Sequence, residues 1–224
     1  MASSGTTSFN ITIDEVIEEA YERCGVRTNS GNDIRSARRS LNLLFSEWGN
    51  RGINLWKVKS KTETLVNGQV TYNTPSDCND VLEAVVTVSG GTQQSLTKIS
   101  RSEYIAIPNK TATGTPSQYY VDRQITPTIS LYLAPDTSAV TNIFYYYLAR
   151  IEDAGAYTND ADVVFRFLPC MVAGLAYYLA MKNAPQLVQQ NKLIYEDQLK
   201  RALDEDGQRA STYITPQSFY PQGI

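Results

Sequence analysis

Asp33-Ile34-Arg35-Ser36-Ala37-Arg38-Arg39-Ser40-Leu41-Asn42-Leu43-Leu44-Phe45-Ser46-Glu47-Trp48 decides how this chain of 224 residues is read. Ile34, Ala37, Leu41, Leu44, Phe45 and Trp48 recur at three- and four-residue intervals, which places them on one face of a helix. Arg35, Arg38 and Arg39 occupy another face. The pattern predicts a helix over residues 33–48, with Gly49 and Gly52 ending it. A helix with so wide an apolar stripe needs other apolar surfaces to cover it, and the flanking sequence supplies three.

Upstream, Thr12 and Glu15 have the spacing of a capping box, in which each side chain satisfies a free backbone N–H at a helix start. Ile13, Val16, Ile17, Ala20, Tyr21 and Cys24 follow on one helical face. Asp14, Glu15, Glu18 and Glu19 favour the positive end of that helix, and Gly25 is a natural stop. Asn29, Ser30, Gly31 and Asn32 read as the turn between the two helices. Far downstream, Val164, Phe167, Leu168, Met171, Leu175, Tyr178 and Leu179 have helical spacing over residues 163–181. Pro169 implies a short helix, a break and then a main helix, with Asp160 or Asp162 as cap. Pro185 opens a last helix with Leu187, Val188, Ile194, Tyr195, Leu199, Ala202 and Leu203 on its face, ended by Gly207.

Between these pairs the period changes to that of strands. Leu65-Val66-Asn67-Gly68-Gln69-Val70 has the hairpin signature, because Asn-Gly accepts positive φ. Residues 81–88 and 95–99 flank Gly90-Gly91 as a second hairpin, and residues 118–121, 128–133 and 142–148 give three more strands. Residues 102–107 read as one helical turn. The fold class expected is α+β: a four-helix bundle, a β-sandwich or barrel-like insertion between helices 2 and 3, and an extended C-terminal tail. The segments are 1–55 and 153–207 for the two halves of the bundle, 56–152 for the β-rich insertion and 208–224 for the tail.

The net charge of −3 and a pI near 5.1 leave no basic stripe for duplex DNA. The chain contains no histidine, so the commonest general base and zinc ligand are absent. Cys24, Cys78 and Cys170 are far apart and odd in number, which argues for core thiols rather than a disulfide framework. Residues 1–8 lack the pattern of a signal peptide. The apolar stretch 167–181, broken by Pro169 and Gly174, is too short to span a bilayer. No phosphate-loop, nucleophile-elbow or metalloprotease motif is present. Asp160 with Asp162, and Glu205 with Asp206, are the nearest approach to paired catalytic carboxylates. They fall where helix caps and solvated ends belong. The expectation is therefore a protein that is not an enzyme, with no catalytic residue, cofactor or metal.

Two features suggest partners. Arg35, Arg38 and Arg39 fit either a solvated face or a contact with an acidic neighbouring subunit. The tail, with Tyr213, Ile214, Phe219, Tyr220 and Ile224 among Thr, Pro and Gln, has too little apolar mass to fold alone. Either it is disordered or it docks on a partner through its aromatics.

The segment 37–48 quoted above, followed by Gly52-Ile53-Asn54-Leu55-Trp56, resembles the second helix and exit of phage head-to-tail adaptors of the tail tubular protein A-like group. Phe167-Leu168-Pro169, Ala173-Gly174-Leu175-Ala176-Tyr177-Tyr178-Leu179-Ala180, Tyr195-Glu196 and Asp204-Glu205-Asp206 are similar to the same family's second helical half. The resemblance implies a structural virion protein of a short-tailed phage, made in the host cytoplasm. Such a protein forms a dodecameric ring joining the portal protein to the tail nozzle protein, with tail fibres nearby. The tail residues Tyr213, Ile214, Phe219, Tyr220 and Ile224 would bind the portal, and Arg35, Arg38 and Arg39 would lie between subunits. Viral DNA would pass through the lumen without specific binding, which an acidic chain suits, and no membrane is involved. The alternative is a receptor- or carbohydrate-binding module of a tail structure, with Tyr119, Tyr120, Tyr145, Tyr146 and Tyr147 as stacking platforms. Strand alternation allows at most half of these on one face.

Overall fold

The computed structural model describes residues 5, 9, 11–27, 31–51 and 55–207, and among them five α-helices and ten β-strands. The helix α1 (Ile13–Arg23) begins at the Thr12 box, where the Glu15 carboxylate accepts the Thr12 backbone N–H at 2.9 Å. It ends in a paired cap. Gly25 N–H donates to Glu22 O and Val26 N–H to Tyr21 O, a geometry that needs the positive φ of +67 at Gly25.

α2 (Gly31–Arg51) is longer than the sequence reading at both ends. Gly31 and Asn32 lie in the helix rather than in a turn, and Gly49 sits inside the last turn rather than ending it. The reason is visible at Arg51. Its guanidinium pairs with Glu47 one turn back and with Glu196 of the last helix at 2.7 Å. These contacts offset the cost of a helical glycine, about 1 kcal/mol.

The β region begins with β1 (Val58–Thr64) and β2 (Thr71–Asn73). The Asn67-Gly68 turn forms, with Gly68 at φ +73 and Gln69 N–H donating to Val66 O. Its flanking strands do not pair with each other, so the expected hairpin is corrected. β1 pairs along its length with β10 (Val140–Ala149), while β2 pairs with β8 (Thr128–Tyr132) in another sheet. The turn is a crossing between sheets, held by Tyr72, whose hydroxyl accepts the Val66 N–H at 2.9 Å.

The Gly90-Gly91 hairpin does form, between β3 (Cys78–Val88) and β4 (Gln93–Ser95), with both glycines at positive φ. The predicted strand 95–99 then divides. β4 stays in the first sheet, and β5 (Thr97–Lys98) runs parallel to β7 (Gln118–Asp122) in the second. The first sheet has the order β1-β10-β3-β4 and the second β2-β8-β7-β5. Between β5 and β7 lie the helix α3 (Arg101–Ala106), capped by Ser100 and Glu103, and β6 (Thr113–Gly114), which pairs with β9 (Ala134–Pro135). Inner residues of both sheets, including Val81, Val86, Tyr119, Ile129, Leu131, Ile143 and Tyr145, form one apolar core.

The chain returns through residues 150–164 to a 3₁₀ turn (Phe165–Phe167) and then α4 (Leu168–Asn183), with Pro169 in its first turn. A second 3₁₀ turn (Pro185–Leu187) leads into α5 (Val188–Asp206), which ends at Gly207. α4 is buried nearly all round, and α1, α2 and α5 pack against it to make a second core. Gly174 is at the crossing. A Cβ there would lie 2.8 Å from Leu44 and 2.9 Å from Tyr195, so only glycine lets the three helices approach this closely. The face of α5 differs from the expected one in one place. Ile194 is 39% exposed, and Asn191 is buried instead.

Candidate functional site

The arginine face divides. Arg38 is half-buried and donates to Gly155 O at 2.9 Å, with its guanidinium 5.4 Å over the Tyr157 ring. It anchors the loop 153–162 to α2. Arg35 and Arg39 are exposed and have no ion pair among the described residues. Lys182 donates to the Ser40 hydroxyl at 2.7 Å beside them. Burial, and then the charge of Arg39, lowers its pKa from the ordinary lysine value. The outcome is a small cationic surface on the first half of α2.

At the other end of α2, residues distant in sequence meet. Trp48 Nε1 donates to the Tyr195 hydroxyl at 3.0 Å. The hydroxyls of Tyr195 and Tyr178 donate to Glu47 at 3.3 and 3.2 Å. Arg51 bridges Glu47 and Glu196 and lies 5.4 Å over the Tyr195 ring. Trp48 also packs on Phe167 at 5.6 Å between ring centroids. The segments 37–48, 167–180 and 195–196 thus converge on one seam of α2, α4 and α5. Sequence reasoning placed these residues on helices, except Arg51, which it put beyond the end of its helix, and missed the seam. The Glu47–Arg51 spacing of four was its one local signal.

The paired carboxylates have other partners. Asp162 accepts from Lys57, whose side chain is 4% exposed, and from the Glu152 backbone N–H at 3.0 Å. This pair ties the start of β1 to the approach to α4. Asp160 makes a backbone bridge with Thr12. Asp206 is buried against Arg166, which donates at 3.0 Å through Nε. Its expected place on a solvated helix end is therefore corrected: a cation from the same chain neutralises it at the negative pole of α5.

The tyrosines are also separated. Tyr119, Tyr145 and Tyr147 point into the β core. Tyr146 stands on the opposite face of the first sheet, edge-on to Phe144 at 5.1 Å. Tyr120 stands on the opposite face of the second sheet, stacked on Tyr104. Because the two sheets share their inner core, Tyr146 and Tyr120 face away from each other and form no common platform. Cys24, Cys78 and Cys170 are buried, and burial pushes the Cys170 thiol up to about 12. No group of His, Cys, Asp and Glu side chains among the described residues is arranged to hold a metal ion, and no described helix is long and apolar enough to cross a membrane.

The tail residues Tyr213, Ile214, Phe219, Tyr220 and Ile224 lie outside the described residues. With helices on both sides of a two-sheet insertion, and polar clusters occupied in holding those parts together, the chain has the character of a structural scaffold. Residues 11–218 match the SU10 adaptor protein family, and the chain belongs to it. It is a phage adaptor protein, a structural component of the virion that works by contact with other virion proteins. No curated protein matches the sequence.

Proposed function

We propose that this adaptor is the head-to-tail connector of a short-tailed phage, of the tail tubular protein A-like kind. It forms a ring, dodecameric in this reading, that joins the portal to the tail nozzle, touches tail fibres and lets DNA pass. The observation that carries this is the family match, which runs through both helical halves and the β insertion. In this reading 1–55 and 153–207 form a four-helix bundle that packs around the ring. Residues 56–152, as a β-sandwich, face the tail, and 208–224 reach the portal through Tyr213, Ile214, Phe219, Tyr220 and Ile224. Arg35, Arg38 and Arg39 meet an acidic surface of the neighbouring subunit. The net charge of −3 supports a lumen along which the duplex slides, since a basic one would hold it. The protein is made in the host cytoplasm and ends in the virion.

The test is light scattering of the purified chain, alone and mixed with a portal ring. The expected outcome is a 25.0 kDa monomer that adds to the portal in many copies. Deleting 208–224 is expected to abolish that addition and leave the monomer folded. A chain that ignores the portal, or a truncated chain that binds it unchanged, overturns the reading. A glycan- or receptor-binding role has less support, because Tyr120 and Tyr146 are on opposite sides of the β region.

A further inference from the structure

Two exposed rows of side chains on the helical half carry charge of opposite sign. On α2, Arg35, Arg39 and Leu43 follow at four-residue spacing, which aligns them along one face over ~12 Å. Neither arginine has an ion pair among the described residues, and Leu43 is 60% exposed. The next position in the row, Glu47, is already engaged by Arg51 and Tyr178. Like charges one turn apart on a helix repel. Lys182, which donates to the Ser40 hydroxyl, adds a third cation beside Arg39. A leucine at the end of such a row has the form of an apolar anchor with a charged rim.

The acidic counterpart is on α1. Glu18 and Glu22 are exposed, again four residues apart, and neither has an ion pair among the described residues. With Tyr21, Val26 and Arg27 they line a shallow hollow. Val26, four positions beyond Glu22, is half-buried against the helical core and gives the hollow an apolar end. Asp14 is exposed one turn before Glu18, and Arg23 is taken by Glu19, so carboxylates outnumber the one cation of the hollow, Arg27. The two rows share one order at one spacing: charge, charge, apolar residue. Arg35 corresponds to Glu18, Arg39 to Glu22 and Leu43 to Val26. Each copy carries both rows. Contact between the α2 row of one copy and the α1 row of the next therefore leaves a row open at each end, and repeats head to tail as ring interfaces do.

We propose that the α2 row of one copy docks on the α1 hollow of a second copy, with Arg35 and Arg39 against Glu18 and Glu22, and Leu43 against Val26. This rests on the reading that the α2 arginines face a neighbouring subunit, and it names the surface they meet. Exposed ion pairs are individually weak and screened by salt. The contact is therefore transient in dilute solution and gains weight where several copies are held side by side.

The experiment is zero-length carbodiimide coupling of Arg35→Lys/Arg39→Lys, a reaction that joins an amine to a carboxylate in direct contact. The variant keeps both charges and supplies the reactive amines. Equal amounts of heavy-isotope-labelled and unlabelled chain are mixed at high protein concentration and low salt, without portal, then coupled and digested for mass spectrometry. Mixed heavy-light peptides that join position 35 or 39 to Glu18 or Glu22 are expected. Leu43→Asp in the same background is expected to lower their yield about tenfold, although it removes no reacting group. It should leave the melting midpoint where it was, because Leu43 is exposed. Links confined to single chains overturn the proposal, as do mixed links from these positions to other carboxylates only. A yield that Leu43→Asp does not change overturns it too. The portal reading is judged apart. Many copies adding to a portal ring without any such mixed link sink this contact alone, and mixed links in a chain that ignores the portal sink that reading alone.

Discussion

Tyr195 is fully buried, and its hydroxyl is both acceptor for Trp48 Nε1 and donor to Glu47. Tyr195→Phe leaves the indole N–H without a partner and removes little volume. The expected loss is about 1–3 kcal/mol, the desolvation penalty of an orphaned buried donor, read from urea unfolding followed by tryptophan fluorescence. At the same seam, the Arg51 hydrogen bond holds the Glu196 carboxyl below the ordinary glutamate value of 4.5. A depressed folded pKa contributes stability above the unfolded value, and that contribution is lost as pH falls through the folded one. Glu196 is 43% exposed, so salt screens the pair. The advantage of the native chain over Glu196→Gln is therefore expected near pH 6 at low salt. It should be lost as the pH falls below the ordinary glutamate value and through the lowered folded one, and shrink in about 1 M NaCl. Melting curves of both proteins check this. Neither contact could be read from the sequence, because its partners are about 145 residues apart.

At the scale of elements, the helices depend on local signals that the sequence carries openly. Thr12, Glu15 and Gly25 bound α1 where the capping box and stop residue predict. Thr12→Ala is expected to cost about 1 kcal/mol, measured as a lower denaturation midpoint with an unchanged slope. α2 shows the limit of such signals. Gly49 reads as a stop, but Glu47 and Glu196 hold Arg51 and carry the helix past it. The strands show the same limit more strongly. Asn67-Gly68 specifies a turn, and the turn is there, but a turn does not choose partners for the strands it joins. The β10 partners of β1 lie 78 to 90 residues away and the β8 partners of β2 lie 55 to 59 residues away, and pairing with them depends on which faces are buried.

At the scale of the whole molecule there are two cores, one helical and one between the sheets. Trp48 and Trp56, the chain's two tryptophans, both belong to the helical one. Ile129 is fully buried in the other. Ile129→Ala is expected to destabilise the β part by about 2–5 kcal/mol. The tyrosine near-ultraviolet signal should then move to lower denaturant while tryptophan fluorescence moves less. Coincident shifts would show that the two cores unfold as one.

By itself the sequence determined the order of elements, their apolar faces, the caps of α1, the place of Pro169 and Pro185, and the acidic balance. All of these depend on residues within a few positions of one another, or on composition. Tertiary structure alone decided which sheet each strand joins, that Arg38 bonds the Gly155 carbonyl while Arg35 and Arg39 have no ion pair among the described residues, and that Asp162 and Asp206 neutralise cations of their own chain. It also left Nδ2 of Asn191 and Oε1 of Gln198 buried without a hydrogen-bond partner among the described residues. These depend on contacts between residues far apart in the chain, where burial and hydrogen-bond completion select among arrangements that local periodicity treats as equal.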